Sequence, residues 1–116
     1  MTKVVNIRRN HYDVYIGRAG RGRDGYFGNP IQKNHRCIEC TKIHRDNTSV
    51  VQCYQIYLGR RLKKDLEFRR RVQRLSGKTL GCFCKPDMCH GDILARVADR
   101  LNAPPEPPVK IINNKR

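Results

Sequence analysis

The sequence predicts a single small compact α/β domain, with a central sheet of three or four short strands and about three helices, stabilised by zinc. Three observations lead there. Apolar stripes at helical spacing alternate with a few short β-prone runs, the pattern of two or three packed layers. A chain of 116 residues fits one domain and buries roughly two-thirds of its unfolded surface. Six cysteines, most of them clustered, accompany a hydrophobic content of only 38% with no Trp, so the small core wants a second fastener.

The elements follow in order. Val4-Val5-Asn6-Ile7 is a β-prone run ended by the basic turn Arg8-Arg9-Asn10, and Asp13-Val14-Tyr15-Ile16 is a second run ended by Gly17. Residues 17–25 alternate glycine with charge, and Asn29-Pro30 marks a turn. Residues 32–47 form a polar, cysteine-containing loop. A helix begins near Asp46, Asn47 or Thr48, each able to cap it, and carries Val50, Val51, Tyr54, Tyr57, Leu58 and Leu62 on one face. Asp65 caps a second helix with the stripe Phe68, Val72 and Leu75, ending at Gly77. Residues 79–84 read as a strand that Pro86 stops, with Cys82 and Cys84 on one face and Phe83 turned the other way into packing. The last helix runs from about Cys89 to Asn102, with Ile93, Leu94, Val97, Ala98 and Leu101 facing the core. The domain thus occupies residues 1–102. Residues 103–116 are a proline-rich basic tail, extended where prolines dominate, whose Val109-Lys110-Ile111-Ile112 either adds an edge strand or trails.

Lys+Arg 25 against Asp+Glu 10 gives a net charge of +15, which favours nucleic acid, nucleotides or an acidic protein face as partner. No segment approaches the ~20 apolar residues that span a bilayer, and Met1–Asn6 shows no apolar signal run, so the expected setting is cytoplasmic, without a membrane partner. Thiols stay reduced there, which leaves metal ligation, catalysis or burial as their uses.

The stretch Cys82–Asp92 holds three thiols, an imidazole and two carboxylates at a strand–turn–helix junction. Three readings compete. Cys82, Cys84 and Cys89, with His90 as a further donor, bind zinc, which takes thiolates and imidazole tetrahedrally. Alternatively Cys89 is a nucleophile beside the positive helix start, with His90 and Asp92 as partners in chemistry. In the blandest reading Cys82 and Cys84 are buried apolar thiols and His90-Gly91-Asp92 is a cap. Upstream, Cys37-Ile38-Glu39-Cys40 with His44 is a partial zinc pattern. Cys53, His35 or the downstream thiols would complete it, although Cys53 sits near the apolar face of a helix.

Arg18, Arg21 and Arg23 lie among glycines directly after a strand, and with Asn29 they suit a phosphate-wrapping loop; a mobile solvated loop is the plain alternative. Arg60, Arg61, Lys63, Lys64, Arg69, Arg70, Arg71 and Arg74 make a basic surface suited to a phosphate backbone, with a solvated helix face as its alternative. Tyr12, Tyr15, Tyr26 and Phe27 are candidates for stacking on bases, Tyr15 and Phe27 equally for the core.

With these residues in place, the chain resembles a family of short bacterial and phage proteins defined as a domain of unknown function, DUF4326. The resemblance rests on Val14-Tyr15-Ile16-Gly17-Arg18, Gly28-Asn29-Pro30-Ile31, Tyr54-Gln55-Ile56-Tyr57-Leu58, Gly77-Lys78-Thr79-Leu80-Gly81-Cys82-Phe83-Cys84 and Cys89-His90-Gly91-Asp92-Ile93-Leu94, over about residues 4–102. Phe27 and Phe83 stand where the family usually has Trp, the loop before Gly28 is longer, and the tail lies outside. The resemblance implies one shared site built from Arg18, Asn29, Cys82, Cys84, Cys89, His90 and Asp92, and a phage accessory protein of the host cytoplasm. It brings no reaction with it. The expected function is therefore zinc-supported binding of nucleic acid or a nucleic-acid-associated host machine. The alternatives are a small enzyme on a nucleotide or nucleoside derivative, and an inhibitor of a host protein partner.

Overall fold

Neither β1 (Lys3–Asn6) nor β2 (Val14–Tyr15) pairs with the other; each lies parallel against β3 (Thr79–Cys82), giving the sheet order β1-β3-β2. Lys3 stands opposite Thr79, and Val14 opposite Leu80. The computed structural model describes residues 1–85 and 87–103, so the linker and the edge-strand alternative at 109–112 lie outside the described residues. α1 (Asn47–Lys64) and α2 (Leu66–Gln73) connect β2 to β3, and α3 (His90–Asn102) follows the sheet.

Strand periodicity sorts the side chains. Leu80 is fully buried on the face that α3 covers, and α1 and α2 pack in turn on α3. On the other face Ile7 and Tyr12 close over Gly81, where a Cβ would meet Ile7 Cγ2 at 2.6 Å. Ile16, Leu58, Phe68, Val72, Leu94 and Ala98 fill the space between sheet and helices. The caps are those the sequence offers. Asp46 accepts the Ser49 N–H at 2.8 Å, and Asp65 accepts the Phe68 N–H at 3.0 Å while its own N–H closes α1 on Arg61. α2 ends at Gln73 rather than Gly77, because the chain tightens through Leu75 and Ser76 before Gly77 turns it at φ +82°.

Asp99 on α3 ties the chain's beginning to its end. It accepts hydrogen bonds from the Thr2 hydroxyl and N–H and from the Ser76 hydroxyl, and these hold its carboxyl below the usual range. A carboxylate with a lowered folded pKa stabilises at neutral pH, and that stability is lost as pH falls from about 4 through the folded value. Asp99→Ala should cost about 2–3 kcal/mol in urea unfolding at pH 7. The gap to wild type should narrow at pH 3; an unchanged gap would reject this ionic account.

Candidate functional site

The polar loop folds into a small hairpin around its thiols. Arg36 bridges Ile43, the Cys37 N–H donates to Lys42, and Asn34 and Thr41 adopt φ +67° and +68°. The main-chain N–H groups of Glu39 and Cys40 donate to Cys37 Sγ at 3.3 and 3.5 Å. His44 Nε2 lies 3.4 Å from Cys40 Sγ and 3.2 Å from Cys53 Sγ on α1. Cys37, Cys40, His44 and Cys53 thus place four donor atoms within 4.8 Å of one another. Tetrahedral bonds of roughly 2.3 Å hold donors about 3.8 Å apart, so the set fits one ion. Cys53 completes it; His35, exposed, and the downstream thiols stand outside.

Burial opposes ionisation of Cys37, yet the N–H groups of Cys40 and Glu39, with His44 and Cys53, bring its thiol down to about 7. Burial, together with Cys37 and Cys40, pushes Cys53 up to about 12. The Cys37 thiolate therefore forms readily while Cys53 keeps its proton until a cation displaces it, so loading this site would release a proton.

Cys82, Cys84 and Cys89 form a second, separate group within the same 4.8 Å limit, Cys82 and Cys89 being 3.4 Å apart. The strand ends at Cys82, so pleat alternation does not bring Cys84 beside it. The chain turns instead, the Asp87 N–H donating to the Cys84 carbonyl, and Cys89 is the N-cap of α3. Hydrogen bonds from Cys84 and Cys89 hold the Cys82 thiol far below its ordinary value, and the same bonds push both donors up. Gly91 keeps this junction tight: a Cβ there would meet Ile16 at 2.7 Å, Val4 at 3.0 Å and Cys89 Sγ at 3.2 Å.

The second group opens on a cavity of about 610 Å³ at the carboxyl ends of the parallel strands, where open α/β sheets bind ligands. Arg8, Arg18, Arg21, Arg23 and Lys33 line it, and no carboxylate does among the described residues. These cations are not equivalent. Arg18 spends Nε and Nη2 on the carbonyls of Asn29 and Ile31, at 3.3 and 3.0 Å, and so clamps the Gly28-Asn29-Pro30 turn. Arg23 lies over the Tyr15 ring and donates to Tyr12, whereas Arg21 is exposed in a left-handed turn. Asn29 is buried, and its Oδ1 accepts the Ile31 N–H; among the described residues its Nδ2 has no acceptor. Gly28 permits the crossing beneath, since a Cβ would lie 2.9 Å from the Gly17 carbonyl.

The family defined as a domain of unknown function, DUF4326, matches residues 2–100. The chain belongs to this family. An uncharacterized 12.4 kDa protein from the nrdA-td intergenic region of Enterobacteria phage T4 is 30% identical over 101 residues, covering 87% of this chain and 81% of its own length. No solved structure matches the chain.

The family match takes in both thiol groups and the cavity. Within that frame Cys89, His90 and Asp92 do not converge into a nucleophile with its acid–base partners. His90 is buried and its Nε2 donates to the Ile16 carbonyl at 2.7 Å, with Tyr54 edge-on to the ring. Burial pushes its pKa down, so a neutral imidazole pins the end of β2. Asp92 pairs with Lys85 and accepts the Cys89 N–H at 3.4 Å.

Phe83 departs from expectation: it is 45% exposed on the cavity wall, edge-on to Tyr15 and beneath Arg8, because the strand ends before it. Arg8, Lys33 and Met88 were also not expected at the site. A cation directly after a strand, at Arg8, was the one available signal. The basic helices lie elsewhere, since Lys63 is about 20 Å along α1 from the cavity residue Val50. There Arg60 pairs with Glu39, Arg61 with Asp65 and Arg71 with Glu67. Lys63, Lys64, Arg69, Arg70 and Arg74 are exposed and have no ion-pair partner among the described residues. No helix among the described residues is long and apolar enough to cross a membrane.

Proposed function

We propose that this chain is a small zinc-binding phage accessory protein of the host cytoplasm that engages nucleic acid, seating nucleotide phosphates in the cavity between Arg8, Arg21 and Lys33. The observation that carries this reading is the cavity: among the described residues it is lined by cations and by no carboxylate, and the Asn29 amide, which has no acceptor among them, adds a neutral donor. Its volume is that of a small-ligand site, room for about one nucleotide unit. Phe83 and Tyr15 on the same wall offer rings on which a base stacks. The exposed cations of α1 and α2 supply a second, sequence-independent surface for the rest of a strand. Zinc is the ion that best suits three thiolates with one imidazole.

Elemental analysis should find two zinc ions per chain. Anisotropy with a single-stranded oligonucleotide tests the cavity reading. With three phosphates engaged across the cavity and the helices, affinity should fall roughly 20-fold between about 50 and 200 mM salt. Zinc-loaded, folded protein that binds no oligonucleotide at low salt overturns the nucleic-acid reading, and capture of an acidic host protein instead would favour an inhibitor.

A further inference from the structure

The two thiol groups differ in one respect that decides their chemistry. The upstream group has four protein donors, one of them delivered by a helix, enough to close a tetrahedral shell. The downstream group has three. Its obvious fourth donors are engaged: His90 donates to the Ile16 carbonyl, and Asp92 is held by Lys85 and the Cys89 N–H. Among the described residues no other His, Cys, Asp or Glu joins the group. Cys84 is exposed, and all three thiols line the cavity, so the vacant corner of a tetrahedral ion faces that space.

We infer that the ion held by Cys82, Cys84 and Cys89 keeps one coordination position for an exogenous anionic donor, a phosphate-class oxygen or its sulfur analogue, supplied by the occupant of the cavity. Four-coordinate zinc with four protein donors is structural, whereas three protein donors with an open position are the arrangement that binds or activates a ligand. Charge permits an anion there. A divalent ion with three thiolates is formally −1, and the cations lining the cavity exceed that. Thiolates make the ion soft, so a sulfur donor should hold it better than oxygen. The inference rests on the zinc reading above but not on nucleic-acid binding.

Cobalt substitution reports the coordination of each ion through its visible ligand-field bands. Wild-type protein should take up two cobalt ions, and added inorganic thiophosphate should shift the bands of one of them, with inorganic phosphate shifting them less. Cys84→Ser, a change at an exposed side chain, should keep the circular dichroism spectrum, lose one of the two cobalt ions and lose the thiophosphate response. Two cobalt ions whose bands ignore both anions would overturn the inference, and unchanged oligonucleotide binding in that sample would leave the proposed function standing. A single cobalt ion in wild type, retained in Cys84→Ser, would overturn the inference as well. No bound metal at all would overturn the inference and the zinc reading together, leaving nucleic-acid binding to its own test.

Discussion

Replacing Cys53 by Val should release the upstream ion, disorder residues 32–47 and lower stability on the order of 3–5 kcal/mol, although the substitution conserves an apolar side chain on the buried face of α1. The argument turns on two roles for one thiol. As a packing group Cys53 is nearly interchangeable with Val, and a volume-conserving swap costs under about 1.5 kcal/mol. As the fourth donor it is irreplaceable, because its loss leaves Cys37, Cys40 and His44 as an incomplete shell that no longer closes around an ion. Thermal unfolding should therefore shift by roughly 15 °C or more. Elemental analysis should find one zinc ion fewer. Wild-type metal content in Cys53→Val would sink the four-donor site.

The second large effect is expected at the cavity cations that the fold itself does not use. Arg18 is a poor probe, since removing it frees the Asn29 and Ile31 carbonyls and loosens the turn. Arg8 and Arg21 are exposed, and replacing both by Ala leaves the core intact. Each lost charged contact costs about 1 kcal/mol or more, so oligonucleotide affinity should drop on the order of 30-fold. The dependence of log affinity on log salt should flatten by about 1.4. Equal replacement of Arg69 and Arg70 on α2 serves as the comparison. If that pair abolishes binding while Arg8 and Arg21 do not, the helices carry the contact and the cavity does not.

Much of this architecture was legible because it depends on neighbours in the chain. Asp65 announced its helix, and Asp46 stood among three candidate caps for the first, since an N-cap needs only a side-chain acceptor three residues before a free N–H. The stripes of α1 and α3 were read from spacing alone, and the two thiol groups from their density. What escaped depends on distant parts of the chain. Cys53 was ambiguous because a ligand and a core residue look alike on an apolar helix face. The parallel order β1-β3-β2 could not be read from three short runs that meet only across the whole chain. Arg18 looked like a phosphate fork, and its guanidinium is taken up by carbonyls of a turn eleven residues later and beyond. Residues 79–84 read as one strand that turns Phe83 inward, but β3 ends at Cys82, and the turn that follows puts the ring on the cavity wall.

The dependence of both short strands on β3 also sets an order of events. β1 and β2 each have no partner until Thr79–Cys82 is present, so no part of the sheet can form during synthesis before that segment leaves the ribosome. The upstream donor set, by contrast, spans only residues 37–53 and closes on itself. If that set binds zinc as proposed, a nascent chain would capture its first ion and seat the start of α1 while the sheet, the second thiol group and the cavity do not yet exist. Metal supply would then bear on how fast the chain matures, before it bears on anything the finished protein binds.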